Sequence, residues 1–374
     1  MSPAVVYLAI GALVGPIGIR LVAPDLAEHG PVRFATLSML VTILLVALAA
    51  HVCFDVGFPA ALLLGAILAP TDALLAADVP LPPGGDESGV RTLLTAESAL
   101  AALLAVPAVL LALGFLGIHD VGPNGMRWVA IDLVWSILGG LALGWMSGVL
   151  AWRVFVRARA ARETELPEEF VAVATIALAC GTAMILEASP LSAVFAAGLA
   201  LSHGGHLAAS GRTERPSFRF QNFSARLEQF GAVAALLLLG ALVHARDVRP
   251  AAVIFALVVL ILVRPIAARL GLGLTKLPPT QQRLAAWFGM RGIVSVYLLS
   301  LAANHGLAVG TARYLAGIVL VVLVTCVALQ TLSSTPLIGG RVNQRALGDG
   351  YRRRLPPSAF RLPAGEEPVS ARWR

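Results

Sequence analysis

An all-α membrane protein with many spans is the fold class this chain predicts, on three observations. Hydrophobic residues make up 58% of its 374 residues and charged ones only 13%, a balance that would leave a soluble domain unable to cover its surface. The mean hydropathy is +0.83. Apolar runs of bilayer-crossing length recur along almost the whole chain.

About eleven candidate spans follow from those runs, near 3–20, 34–54, 58–78, 92–117, 127–152, 168–187, 189–203, 227–245, 250–270, 283–303 and 311–333. Glycine and proline interrupt the first, the third and the short one from Ser189. The start, Met1 to Arg20, has no basic stretch and no small-residue cleavage site, so it reads as a mature span. Residues 1–335 are expected to form one transmembrane domain. Residues 336–374, rich in Pro and Arg, are expected to form a disordered or membrane-surface tail.

The net charge of +7 does not point to nucleic acid, because the basic residues sit in loops and at the C-terminus. Arg153, Arg157, Arg159 and Arg162 share one loop. Arg212, Arg215, Arg219 and Arg226 share another, Lys276 and Arg283 a third, and Arg341, Arg345 and Arg352 to Arg354 follow the last span. With this span count all four fall on one side, which the positive-inside rule makes cytoplasmic. The chain is therefore expected in the cell inner membrane, with an outside N-terminus and a cytoplasmic C-terminus. Cys53, Cys180 and Cys326 lie far apart in apolar runs and read as small buried hydrophobes, not as a disulfide or metal framework. No motif calls for a cofactor or a resident metal, and no catalytic set suggests an enzyme.

Chemistry concentrates where charge enters these runs. Asp72 follows Ala69-Pro70-Thr71 inside the third span. A charge at the bilayer centre costs on the order of 3 kcal/mol or more, so it marks a functional site by default. A proline-broken helix beside it is how transporters build ion sites near the midplane. The competing reading is that Asp72 only neutralises backbone dipoles at the break. Glu97 and Arg291 enter the fourth and tenth spans. Each is tolerable chiefly when paired, and the simplest pairing is with each other, tying two helices together and leaving Asp72 as the free titratable group. Thr71 and Ser98 add hydroxyl oxygens of the kind hard cations prefer, though such residues often bond only their own helix backbone. Gly289 and Gly292 flank Arg291 and permit unwound backbone or close helix approach. His51, Cys53 and Asp55 read as interfacial, Glu187 as a helix end, Arg264 as snorkelling toward the cytoplasm, and His203 and His206 as loop residues with a conceivable pH-sensing role.

These motifs resemble the cation:proton antiporter superfamily, and within it the NhaP-type Na⁺(K⁺)/H⁺ exchangers. The resemblance rests on Ala69-Pro70-Thr71-Asp72, Glu97-Ser98 and Gly289-Met290-Arg291-Gly292-Ile293-Val294-Ser295, with support from Gly11 to Pro16, Ser189 to Gly198 and Val263-Arg264-Pro265. It runs in order to about residue 335. It implies an inverted-repeat fold with two broken helices crossing near the midplane, a homodimer, and alternating access in which a monovalent cation and a proton compete for carboxylates. It also implies ion and proton binding by Asp72, Thr71, Ser98 and Glu97, and a structural core of Glu97, Arg291 and Gly292.

Two departures stand out. The family follows Glu-Ser-x-x with Asn-Asp, whose Asp is its principal ion-binding carboxylate, where this chain has Ala101-Ala102. The family also places a complete span between the Gly15-Pro16 segment and the span beginning near Phe34. Here Ile17 to Arg33, with Pro24, Asp25, Glu28 and His29, cannot cross a bilayer. Exchange of Na⁺ or K⁺ for protons with Asp72 as carrier is the leading reading. A relative that transports nothing, or a different solute, is the alternative.

Overall fold

The architecture comes from a computed structural model of the chain, which describes residues 30–71, 87–160, 168–209, 249–272, 282, 286–287, 289 and 291–339. Among these, every regular element is helical: α1 (Gly30–Phe54), α2 (Phe58–Leu68), α3 (Glu87–Phe115), α4 (Ser136–Ala160), α5 (Glu168–Ile185), α6 (Pro190–Ala209), α7 (Pro250–Val258), α8 (Arg264–Leu272), α9 (Ile293–Asn304) and α10 (Val309–Gly339). A π-helical segment, Trp128–Trp135, leads into α4, and a π turn, Val259–Val263, joins α7 to α8. Proline starts several helices, where its missing N–H is not needed, as at Pro59, Pro190 and Pro250.

Among the described residues, five stretches are long and apolar enough to cross a membrane: Ala35–Phe54, Glu97–Phe115, Pro123–Ala158, Pro250–Gly271 and Val309–Gln330. The outward face of α1 carries Leu40, Leu44, Leu48 and Val52, spaced by four, a stripe suited to lipid. The inward faces of α1, α2, α3, α7, α9 and α10 share one core, including Leu64, Ile67, Leu113, Phe255, Leu298 and Val322. Because lipid tails are as apolar as these side chains, the core is held by close van der Waals packing and not by removal of apolar surface from water.

Among the described helices, α2 and α9 are too short to span on their own. With 11 and 12 residues, they reach about 17 Å, roughly half of a 30 Å hydrocarbon core. The α2 helix stops at Pro70: proline has no N–H to continue the ladder and its ring crowds the preceding turn, while Ala69 before it still keeps helical backbone angles. The expected third span therefore ends its helix at Leu68. The expected tenth span has non-helical backbone at Gly289, Arg291 and Gly292, and α9 starts only at Ile293.

The closest helix pair is α4 on α6. Gly140, Gly144 and Gly148 repeat every four residues and face Ser189, Ala193 and Ala197. A Cβ at Gly140 would meet the Ser189 carbonyl at 2.7 Å, one at Gly148 the Ala197 carbonyl at 2.6 Å, and one at Gly144 would run into the Ala193 carbonyl. Only hydrogen at these positions lets the backbones touch.

Several expectations change or fall outside the described residues. His203 and His206 lie in the last turns of α6 and not in a loop, because the helix continues to Ala209. Cys326 is buried, but Cys53 and Cys180 are only half-buried; all three are free thiols. The candidate spans 3–20 and 227–245, the loop from Arg212 to Arg226 and the tail beyond Gly339 lie outside the described residues.

Candidate functional site

The α3 helix brings Glu97 and Ser98 into the protein interior, both largely shielded from solvent. Glu97 is held by Arg264, the first residue of α8. Its Nη1 donates to Oε1 at 2.5 Å and its Nη2 to Oε2 at 2.8 Å. This two-pronged fork is the strong form of the ion pair. From α1, Ser38 Oγ donates a further bond to Glu97 Oε1 at 3.2 Å, and Thr42 Oγ1 donates to the Ser38 carbonyl at 2.6 Å.

The expected Glu97–Arg291 pair is thus corrected. Glu97 pairs with Arg264, which is 2% exposed and does not snorkel. The reason is positional. Arg264 sits mid-way along the continuous α7–π turn–α8 rod, too far inside for its guanidinium to reach water, and it faces α3 and α1. A Cβ at Gly289 would run into Nε and Cζ of Arg264, so the glycine leaves the space this guanidinium fills.

Arg291 has a different task. It is fully buried, and its Nε donates to the carbonyl of Leu68, the last residue of α2. It therefore joins the C-terminal end of one broken helix to the start of the other, where α2 exposes carbonyls without intrahelical partners. Among the described residues neither Nη of Arg291 has a hydrogen-bond partner, nor does the Oγ of Ser295 one turn into α9.

Thr71 and Ser98 lie side by side. Their hydroxyls lie 3.1 Å apart, and both residues are buried. Elsewhere the fold uses such side chains differently: Thr42, Ser147, Thr175 and Thr182 each bond a carbonyl one turn back on their own helix. The Thr71–Ser98 pair bridges two elements. Asp72, next in the chain, lies outside the described residues. Gly292 occupies the N-cap position of α9. Ala101 is buried in the core, and Ala102 follows Ser98 by four residues along α3, one turn on the same side.

A family profile described as "Sodium/hydrogen exchanger, transmembrane" matches residues 27–338. The chain belongs to the sodium/hydrogen exchanger family. The match takes in every described helix that builds the site. Two solved structures of the sodium proton antiporter MjNhaP1 from Methanocaldococcus jannaschii share this fold. One, determined at pH 8, is 19% identical with a TM-score of 0.59, covering 89% of this chain and 91% of that one. The other, from electron microscopy, is 18% identical with a TM-score of 0.62, covering 91% and 92%. Nothing among the curated proteins matches. The protein is a multi-pass membrane transporter of the cation/proton antiport class, with the NhaP-type fold that the motifs implied.

Sequence reasoning overlooked Ser38, and it misjudged Arg264. The available signals were a Ser38-x-x-x-Thr42 pair on one side of an otherwise apolar run, and an arginine with no adjacent loop in the run from Pro250 to Gly271.

Proposed function

We propose that exchange of a monovalent cation, Na⁺ or K⁺, for a proton runs through Asp72, with the Thr71 and Ser98 hydroxyls as neutral ligands. The observation that carries this reading is the 3.1 Å Thr71–Ser98 contact across two elements, beside the chain position of Asp72. Two hydroxyl oxygens and a carboxylate suit a hard cation. Glu97 is the poorer carrier, because Arg264 and Ser38 already occupy both of its oxygens. It serves as a fixed pair that holds α3, α8 and α1 together. The cycle is then a displacement: the cation binds the Asp72 carboxylate as the proton leaves, the site changes face, and a proton replaces the cation.

Ala102 sets this chain apart. The carboxylate that the resemblance implies one turn beyond Ser98 is missing, so a single membrane carboxylate would carry both ions in turn. We place the basic segments and the C-terminus on the cytoplasmic side of the inner membrane, from the positive-inside rule. We assign residues 1–335 to the transporting unit and 336–374 to a tail. A homodimer is the assembly that the resemblance suggests.

The test is proton flux in proteoliposomes on adding Na⁺, Li⁺ or K⁺. Wild type should respond, and Asp72→Asn should lose at least about a hundredfold of the rate, the scale of deleting a directly interacting charge. Exchange that persists in Asp72→Asn would overturn Asp72 as carrier. No flux with any cation, from protein shown to be folded, would favour the non-transporting reading.

A further inference from the structure

A second group of titratable side chains lies away from the Glu97 site, where α3 and α9 end. After Phe115 the chain makes a tight turn in which the amides of Ile118 and His119 both donate to the Leu113 carbonyl, at 3.0 and 3.3 Å. The turn presents His119 to Asp132, which belongs to the π-helical segment. Nε2 of His119 lies 2.8 Å from Asp132 Oδ2, and the two side chains are only 16% and 9% exposed. The ring of His305, which caps the C-terminus of α9, sits edge-on to the His119 ring with centroids 6.1 Å apart. Trp128, at the start of the same π-helical segment, donates its indole N–H to the carbonyl of Pro107 at 2.9 Å. The π-helical segment is thereby fixed to α3.

The hydrogen bonds fix both tautomers. A carboxylate can only accept, so His119 carries its proton on Nε2 and leaves Nδ1 to take another. His305 Nδ1 lies 2.9 Å from the Leu301 carbonyl and must donate to it. Among the described residues the other charges bordering His119 are Asp120 and Arg127, from the turn itself. Those two are already paired at 2.6 Å, and the amide of Gly122 donates to Asp120 as well. The Gly122 amide and the Arg127 guanidinium hold the Asp120 carboxyl below the usual carboxylate range, so it stays ionised and committed while an imidazole titrates. Among the described residues, Asp132 is then the carboxylate that His119 engages, and His305 joins the group through the His119 ring.

We propose that His119, Asp132 and His305 form a second proton-binding site that clasps the end of α9 to the end of α3 and sets how exchange responds to pH on that face. Proton uptake at His119 Nδ1 turns its bond to Asp132 into an ion pair in a half-dry setting. One carboxylate compensates one imidazolium, so a second proton on His305 meets repulsion at 6.1 Å. The site therefore takes up a single proton. The consequence is mechanical. The helix holding Glu97 and Ser98 runs into this turn, and the helix that begins beyond Arg291 ends at His305. Protonation tightens the junction between the two, and deprotonation loosens it.

This inference stands apart from the cation reading, because amide hydrogen exchange tests it with no ion transported. The full chain, in lipid nanodiscs, is compared at about pH 5.5 and about pH 8 after correction for the intrinsic pH dependence of amide exchange. The peptides covering 113–121 and 300–306 should be about threefold to tenfold more protected at the lower pH in wild type. His119→Gln and Asp132→Asn both keep a hydrogen bond at this position and should abolish that difference while leaving the peptides around Glu97 unchanged. His305→Gln should keep the response of 113–121 and weaken that of 300–306. A wild-type chain with no pH response in these peptides, or a response that survives His119→Gln, would overturn the proposal.

Discussion

Arg264 shows how much a single residue decides here. Its guanidinium satisfies both Glu97 oxygens and lies in the space left by Gly289. Arg264→Gln should leave Glu97 as a buried charge without its partner and cost about 3–5 kcal/mol. Adding Glu97→Gln should restore much of that loss, since two amides can bond each other and no bare charge remains. Unfolding midpoints in detergent for the two single variants and the double variant would check this. Equal loss in the single and double variants would contradict the pairing. Ser38→Ala removes only one donor to a carboxylate that keeps its fork, and should cost about 1 kcal/mol by the same measurement. The sequence made it plain that Glu97 needs a cation, because an unpaired carboxylate in an apolar run is too costly. It could not say which of two membrane arginines supplies it. Arg264 and Arg291 lie 27 positions apart with similar apolar surroundings, and proximity to Glu97 is a property of packing.

At the level of elements, the Pro70 break was legible, because proline acts locally. The pause before Ile293 was legible too, through Gly289 and Gly292 flanking a buried arginine. What local rules missed is the join between the two breaks: Arg291 reaches from one to the carbonyl end of α2. The α4–α6 contact is a second case. Its glycine spacing is visible in the chain, but the partner stripe Ser189, Ala193 and Ala197 is set only when the helices meet. Gly144→Leu should force the two backbones apart. It should destabilise by about 3 kcal/mol or more, since neither helix offers a movable side chain at the Ala193 carbonyl. Thermal unfolding would measure the loss. Gly181→Ala, which meets nothing within 4 Å, should leave the midpoint within about a degree and so serve as the control. The loop placement of His203 and His206 failed for a related reason. Polar residues near a helix end say little about where the helix stops when no proline or cap follows.

For the whole molecule, the telling variant is Ala102→Asp. It would place a carboxylate one turn beyond Ser98, beside the Thr71–Ser98 hydroxyls. If one carboxylate now carries both ions, a second should strengthen cation binding. The half-saturating Na⁺ concentration in the flux assay should then fall about tenfold, at a stability cost of about 1–3 kcal/mol for the added buried charge. An unchanged concentration dependence, in folded protein, would mean that Ala102 does not face the ion. Together with Asp72→Asn, this variant separates a site rewired around one carboxylate from a scaffold that has stopped transporting.

Composition and run length alone determined that this is a helical, multi-pass membrane protein, because lipid forces every backbone group to be satisfied within its own segment. The ordered motifs determined the antiporter fold, since the breaks at Pro70 and around Arg291 are local consequences of proline, glycine and isolated charge. Tertiary structure decided the rest. It chose Arg264 over Arg291 for Glu97, recruited Ser38, brought Thr71 against Ser98, and set the distant His305 against the neighbouring His119 and Asp132. Each of these is a contact across many residues, governed by which helix faces meet and how closely glycine lets them approach. The periodicity of a single helix does not carry that information.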